Sequence, residues 1–175
     1  MGVGLKFWQG SVAAQTVFPL QNNYRQKGAG AEGICTSAAL FWARKCLELG
    51  RAPDTWAEIG KTDHTLNIIM TTLRTLDSNP VEQTELAGLN VIGRDQPVGS
   101  IEAMMELVKL SSSGVAIFWN SYHTMGYRYS HLNKDFFDMN HGAFRCKYSR
   151  GIANKFNELY PGAADQVIGC RVVSL

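Results

Sequence analysis

The sequence predicts an α+β fold with a largely antiparallel sheet. Two observations carry this expectation. In several segments between Cys35 and Lys109, apolar residues recur at spacings of three and four, the period of a buried helix face. From Gly114 onward the chain breaks into short β-branched and aromatic runs separated by turn residues, the pattern of strands. At 175 residues, 45% hydrophobic and 18% charged, the chain is sized for one domain over residues 1–175, with one core.

Residues 1–34 read as an irregular N-terminal segment, with Gly28, Gly30 and Gly33 crowded before Cys35 and Phe18-Pro19-Leu20 as an extended or turning approach. Cys35 to Leu49 is a helix whose buried stripe is Cys35, Ala38, Ala39, Trp42, Cys46 and Leu49, stopped by Gly50. Asp54 caps a short helix running to about Gly60, and Thr65 to about Leu76 forms another. Residues 78–99 mix strand and loop around Leu89 to Ile92. Ser100 opens a helix to about Lys109 with Ile101, Met104, Met105, Val108 and Leu107 inward.

Gly114 to Trp119 then reads as a buried strand, His123 to Tyr129 as its neighbour, and Ser130 to Lys134 as a turn. Asp135 to Asp138 and Ala143 to Tyr148 follow as strands, Asn154 to Tyr160 as a helix stopped by Pro161-Gly162, and Gln166 to Val173 as a closing strand.

A net charge of +2, with no basic run, argues against nucleic acid as a partner. No apolar run approaches the roughly 20 residues that span a bilayer. The start, Met1-Gly2-Val3-Gly4-Leu5-Lys6, lacks the apolar run of a cleavable signal, so cytosolic synthesis is expected, with any export using another route. The four cysteines form no CxxC pair or Cys/His cluster, which argues against structural zinc, and their low density favours reduced thiols.

Among those cysteines Cys35 stands apart. Cys46, Cys146 and Cys170 fall on a core stripe or in strands. Cys35 lies where a glycine-rich loop meets a helix start, whose partial positive charge favours the nucleophilic thiolate. A base and an orienting group are available downstream. Of the four histidines, His64, His131 and His141 fall near a helix start or in turns, whereas His123 opens a strand. Asp138 ends the next strand, 15 positions on (138 − 123), where adjacent antiparallel strands can bring the two side by side. Gly126 leaves room for close packing beside His123.

The order Cys, His, Asp, with Gly33-Ile34-Cys35 opening a helix and Phe136-Phe137-Asp138-Met139-Asn140-His141-Gly142-Ala143-Phe144 ending a strand, resembles the YopT/AvrPphB-type cysteine proteases. That resemblance implies a papain-like fold, N-terminal helices packed on a C-terminal antiparallel β-sheet. It implies Cys35 as nucleophile, His123 as general base and acid, and Asp138 as the orienting group. An amide side chain, Gln26, Asn23 or Asn22, would join the Cys35 backbone N–H in an oxyanion hole. The family also implies a monomer that needs no cofactor or metal and acts on a protein of a target cell, into which it is secreted or translocated from a bacterial cytoplasm. The same triad would equally serve a peptidoglycan amidase or a transglutaminase-like acyltransferase, and a papain-fold binding module could retain it in vestigial form.

Overall fold

A computed structural model describes residues 13–19, 34–59 and 80–175. The expected helix over Thr65 to Leu76 and the candidate oxyanion residues Gln26, Asn23 and Asn22 lie outside the described residues. The described chain is a mixed helical and antiparallel-sheet structure, as the sequence predicts.

The elements, in order, are β1 (Gln15–Pro19), α1 (Ile34–Leu49), α2 (Trp56–Ile59), α3 (Pro80–Leu86), β2 (Asn90–Val91), β3 (Gln96–Pro97), α4 (Ile101–Leu110), β4 (Val115–Trp119), β5 (Thr124–Tyr129), β6 (Lys134–Asp138), β7 (Gly142–Cys146), α5 (Ser149–Leu159) and β8 (Gly169–Ser174). The sheet runs β1-β7-β6-β5-β4-β8-β2, with β3 also on β8. All of these pairings are antiparallel.

Alternation along the strands divides the apolar residues between the two faces of the sheet. Val115, Ile117, Phe137, Ala143 and Val173 pack under α1 and α2. Ala116, Phe118, Met125, Tyr127, Phe136 and Val172 pack against α4 and α5. The α1 face is sealed by aromatic rings: Trp42 stacks on Phe137 at 5.6 Å, and Trp56 meets Phe137 edge-on at 5.5 Å. Gly126 permits this approach, because a Cβ there would lie 2.4 Å from Trp42 Cε3. Gly114, at φ +65, makes the turn into β4, and a Cβ there would lie 2.7 Å from the Tyr129 carbonyl oxygen.

Charge fastens α1 to the sheet beyond the rings. Asp135, buried in β6, receives Arg128 and Arg145. Arg128 also donates to the Gly50 carbonyl, and Arg145 reaches Asp54. The α1–α2 corner is thereby tied to the strands that carry the site.

Several expectations need correction. Leu49 is exposed rather than part of the stripe, while Leu40, Phe41 and Ala43 are buried, so α1 is covered on most of its circumference and not along one line. Asp54 does not cap α2 with its carboxylate, which pairs with Arg51 and Arg145; instead Glu58 accepts from the Asp54 N–H at 2.8 Å. Residues 80–86 are helical where strand and loop were expected, with Pro80 in the first turn, where its missing N–H costs nothing. β1 is a strand within the segment read as irregular. Its five residues pair with β7 through a register shift between Thr16 and Phe18, so half-buried alternation is blurred. Helix α5 begins at Ser149, five residues before the expected Asn154, because Gly151 packs as a buried residue and not as a breaker. The Ser100 cap is as expected, its Oγ accepting from the Ala103 N–H at 3.1 Å.

Candidate active site

Each of the three chemistry-bearing residues owes its place to a separate element. Cys35 is the second residue of α1, His123 immediately precedes β5, and Asp138 is the last residue of β6. The β5–β6 register sets Gly126 opposite Phe137, which brings the start of one strand beside the end of the other. Helix α1 lies across β5, with Thr36 Oγ1 and Thr124 Oγ1 3.0 Å apart. These contacts carry the helix start to the imidazole.

His123 is aimed by its backbone. Buried Asn120 accepts from the N–H groups of Tyr122 and His123, at 3.1 and 2.8 Å, and its own N–H donates to the His123 carbonyl. This side-chain-to-backbone turn holds the residue rigidly at the strand entrance. The imidazole Nε2 then meets Asp138 Oδ1 at 2.8 Å, with both side chains almost fully buried. Its other nitrogen is not engaged by Asp138, and Cys35 is near enough that thiol and imidazole each shift the other's pKa.

The electrostatics follow from these contacts. Burial pushes the Cys35 thiol up, but the hydrogen bond and charge of His123, with backbone N–H groups of Thr124 and Thr36, outweigh it and leave the thiol below its ordinary value. Burial pulls His123 down, yet hydrogen bonds to Asp138 and Cys35 and the charges of both raise it to about 9. Burial disfavours the Asp138 carboxylate, while hydrogen bonds from His123, His141 and Tyr160 hold it well below the usual range. The three shifts run in one sense, toward a thiolate, an imidazolium and a carboxylate in series. By contrast, burial pushes the Cys46 thiol far up and takes Cys170 to about 11, so neither is a nucleophile near neutrality. All four cysteines are buried, and none forms a disulfide.

The sequence singled out Cys35, His123 and Asp138, and the fold brings these three together. It missed Asn120, His141 and Tyr160, all of which touch the triad. The signal for two of them was local: an Asn three residues before His123 and a His three residues after Asp138 are tight-turn spacings. Tyr160 read only as a helix end.

At the start of α1 and β5 lies a cavity of about 230 Å³. Thr36 and Thr124, the chain neighbours of Cys35 and His123, line it with Ile117 and Trp119, and the Arg171–Asp95 ion pair forms one wall. Arg171 is itself nearly fully buried and also donates to Thr84 at 2.7 Å. Among the described residues, no helix is long and apolar enough to cross a membrane.

His123 links the pH dependence of stability to the site. Its proton is held more tightly in the fold, with a pKa of about 9 against an ordinary 6.5. The stability this contributes is fully present below pH 6.5 and is lost as pH rises through about 9. Asp138 acts in the other direction: its contribution is present above 3.8 and lost as pH falls through its depressed value. In a Cys35→Ser background, which removes the thiol's own titration and its share of the His123 shift while leaving that of Asp138, calorimetry is expected to show a melting temperature that declines as pH rises above 6.5. Adding His123→Ala should abolish that decline.

No family model matches this sequence, and no curated protein matches it. Among solved structures the chain is similar to the crystal structure of Pseudomonas avirulence protein AvrPphB, with a TM-score of 0.50 and 17% identity over 94% of this chain and 97% of that one. At that identity the likeness speaks to the fold, a helix-and-antiparallel-sheet α+β arrangement.

Proposed function

We propose that the chain is a papain-like cysteine endopeptidase that cleaves a protein substrate through a Cys35–His123–Asp138 triad. The observation that supports this most is the buried His123–Asp138 bond behind a thiol whose pKa is lowered by the same imidazole. That combination is what nucleophilic acyl transfer requires. The Cys35 thiolate attacks the peptide carbonyl, and the tetrahedral oxyanion is met by backbone N–H at the start of α1, with Gln26 or Asn23 as the amide donor. His123 gives its proton to the leaving amine, forming the thioester. It then takes a proton from water, and hydroxide attack on the thioester releases the acid and restores the thiolate beside the imidazolium. Asp138 stays ionised throughout and fixes the imidazole. The cavity beside Thr36 and Thr124 receives a substrate side chain.

The structural likeness to an avirulence protein supports a target-cell protein as substrate. The test is to incubate the purified chain with target-cell lysate and, separately, with peptidoglycan, and to sequence newly formed N-termini and released muropeptides. New protein termini that depend on Cys35 support the peptidase. Muropeptide release alone overturns it in favour of an amidase.

A further inference from the structure

The Asp138 carboxylate, fully buried, accepts four hydrogen bonds. Oδ1 receives His123 Nε2 at 2.8 Å and the Asn140 N–H at 2.7 Å. Oδ2 receives His141 Nδ1 at 2.7 Å and the Tyr160 hydroxyl at 2.5 Å. These four donors differ in what they are attached to. Asn140 and His141 belong to the tight turn that follows Asp138 itself, and the His141 side chain is 38% exposed. They move with the carboxylate they hold. Tyr160 arrives from 22 residues away, just past the end of α5.

We propose that Tyr160 is a positioning residue for the triad: its hydroxyl ties the plane of the Asp138 carboxylate to the body of the fold, so that Oδ1 stays aimed at His123. The proposal rests on the peptidase reading for its biological use, though not for its test. Tyr160 is well placed for this work. It is buried, its N–H closes the last turn of α5 onto the Phe156 carbonyl at 2.8 Å, and its ring lies 5.2 Å from Phe156. The same ring stands 6.1 Å from the His123 ring and 5.7 Å from His141, forming a wall against which the imidazole rests.

Burial, then the charge of Asp138 and the hydrogen bond to it, push the hydroxyl far above its ordinary range, so it remains a donor throughout the working pH range. A fully buried carboxylate that loses this donor has a vacant lone pair, and rotation about Cβ–Cγ to refill it draws Oδ1 off His123. The titratable groups that face this centre are His123 ahead of β5, Cys35 on α1, His141 in the β6–β7 turn, and Tyr122, which is itself bonded to Asp165.

Tyr160→Phe removes one oxygen and keeps the ring wall. The test uses iodoacetamide, with alkylation at Cys35 followed by mass spectrometry at pH 6 and pH 9, in the whole chain. Loss of a hydrogen bond to a charged group corresponds to roughly ten- to hundredfold in an equilibrium. Cys35 alkylation in Tyr160→Phe is therefore expected to be slower than wild type by about tenfold at pH 6 and to converge with it at pH 9, where the thiol ionises unaided. Ile152→Ala, in the buried face of α5 two turns before Tyr160, is the companion variant. It loosens α5 packing away from Tyr160, and it should lower the melting temperature while leaving the alkylation profile in place. If Tyr160→Phe alkylates at pH 6 as fast as wild type or faster, the positioning role is overturned. The same holds if Ile152→Ala shifts the profile equally, since the effect would then be one of packing. Because alkylation requires only a thiolate, a wild-type chain that cleaves no protein would defeat the peptidase reading and leave this result standing.

Discussion

Cys35→Ala is expected to lower the rate of substrate hydrolysis by on the order of 10³ or more, with the fold intact. The size follows from the division of labour in the site. Substrate binding and backbone oxyanion contacts survive the change, but no other thiol can take over. Cys46 lies deep in the α1 face with its pKa far up, and Cys170 sits in β8 with a pKa of about 11. Little stability is at stake, since Cys35 keeps 9% exposure and the substitution removes a single sulfur atom. Cys35→Ser should be nearly as inactive, because an alcohol beside this imidazole does not form the ion pair that the thiol does. Cys46→Ala serves as the control and should retain activity. Circular dichroism and cleavage of the protein identified from lysate check the set together, and hydrolysis surviving Cys35→Ala would remove the nucleophile from the account.

Asp138→Ala is the second large effect, and it reaches stability as well as rate. The carboxylate is fully buried, and its removal strands the His123 and His141 ring nitrogens, the Tyr160 hydroxyl and the Asn140 N–H. Breaking a buried pair by deleting one partner costs about 3–5 kcal/mol, so the urea unfolding midpoint should fall sharply. Asp138→Asn separates the two consequences. It keeps the volume and can retain part of the hydrogen bonding, so less stability is lost. It also removes the charge that holds His123 high, and the thiolate loses its counter-ion. The expected result is a rate loss of about 10² or more with a smaller shift in the unfolding midpoint. Equal activity in Asp138→Asn and wild type would show that the carboxylate is structural only.

The residues that were legible in the sequence are those whose local pattern and final environment agree. Helix α1 and strands β4 to β6 carry strong periodicity, and the β5–β6 pairing follows from their short connection. The glycine at position 126, read as room for a close neighbour, receives the Trp42 ring. What the sequence left unreadable depends on partners distant in the chain. β1 joins the sheet at β7, more than a hundred residues on, so its pairing leaves no local trace. Gly151 looks like a breaker until the surface it packs against is known.

The site divides in the same way. Cys35, His123 and Asp138 stood out because helix-start thiol, strand-start imidazole and strand-end carboxylate form an ordered set. Tyr160 carried no comparable signal, since its role exists only once α5 has docked behind β6. Arg171 and Asp95, the ion pair in the wall of the cavity near Thr36 and Thr124, are 76 positions apart and equally silent.

The central claim is that His123 and Asp138 keep Cys35 as a thiolate poised for acyl transfer. The rate of Cys35 alkylation by iodoacetamide, measured against pH by mass spectrometry beside the other three cysteines, tests it most directly. The account predicts that Cys35 reacts below its ordinary thiol value of 9.0 while Cys46 and Cys170 stay inert, and that His123→Ala moves the Cys35 profile upward in pH, since burial then acts unopposed by the imidazole. A Cys35 profile that rises only toward pH 9 in the wild type, or that His123→Ala leaves unmoved, would contradict it.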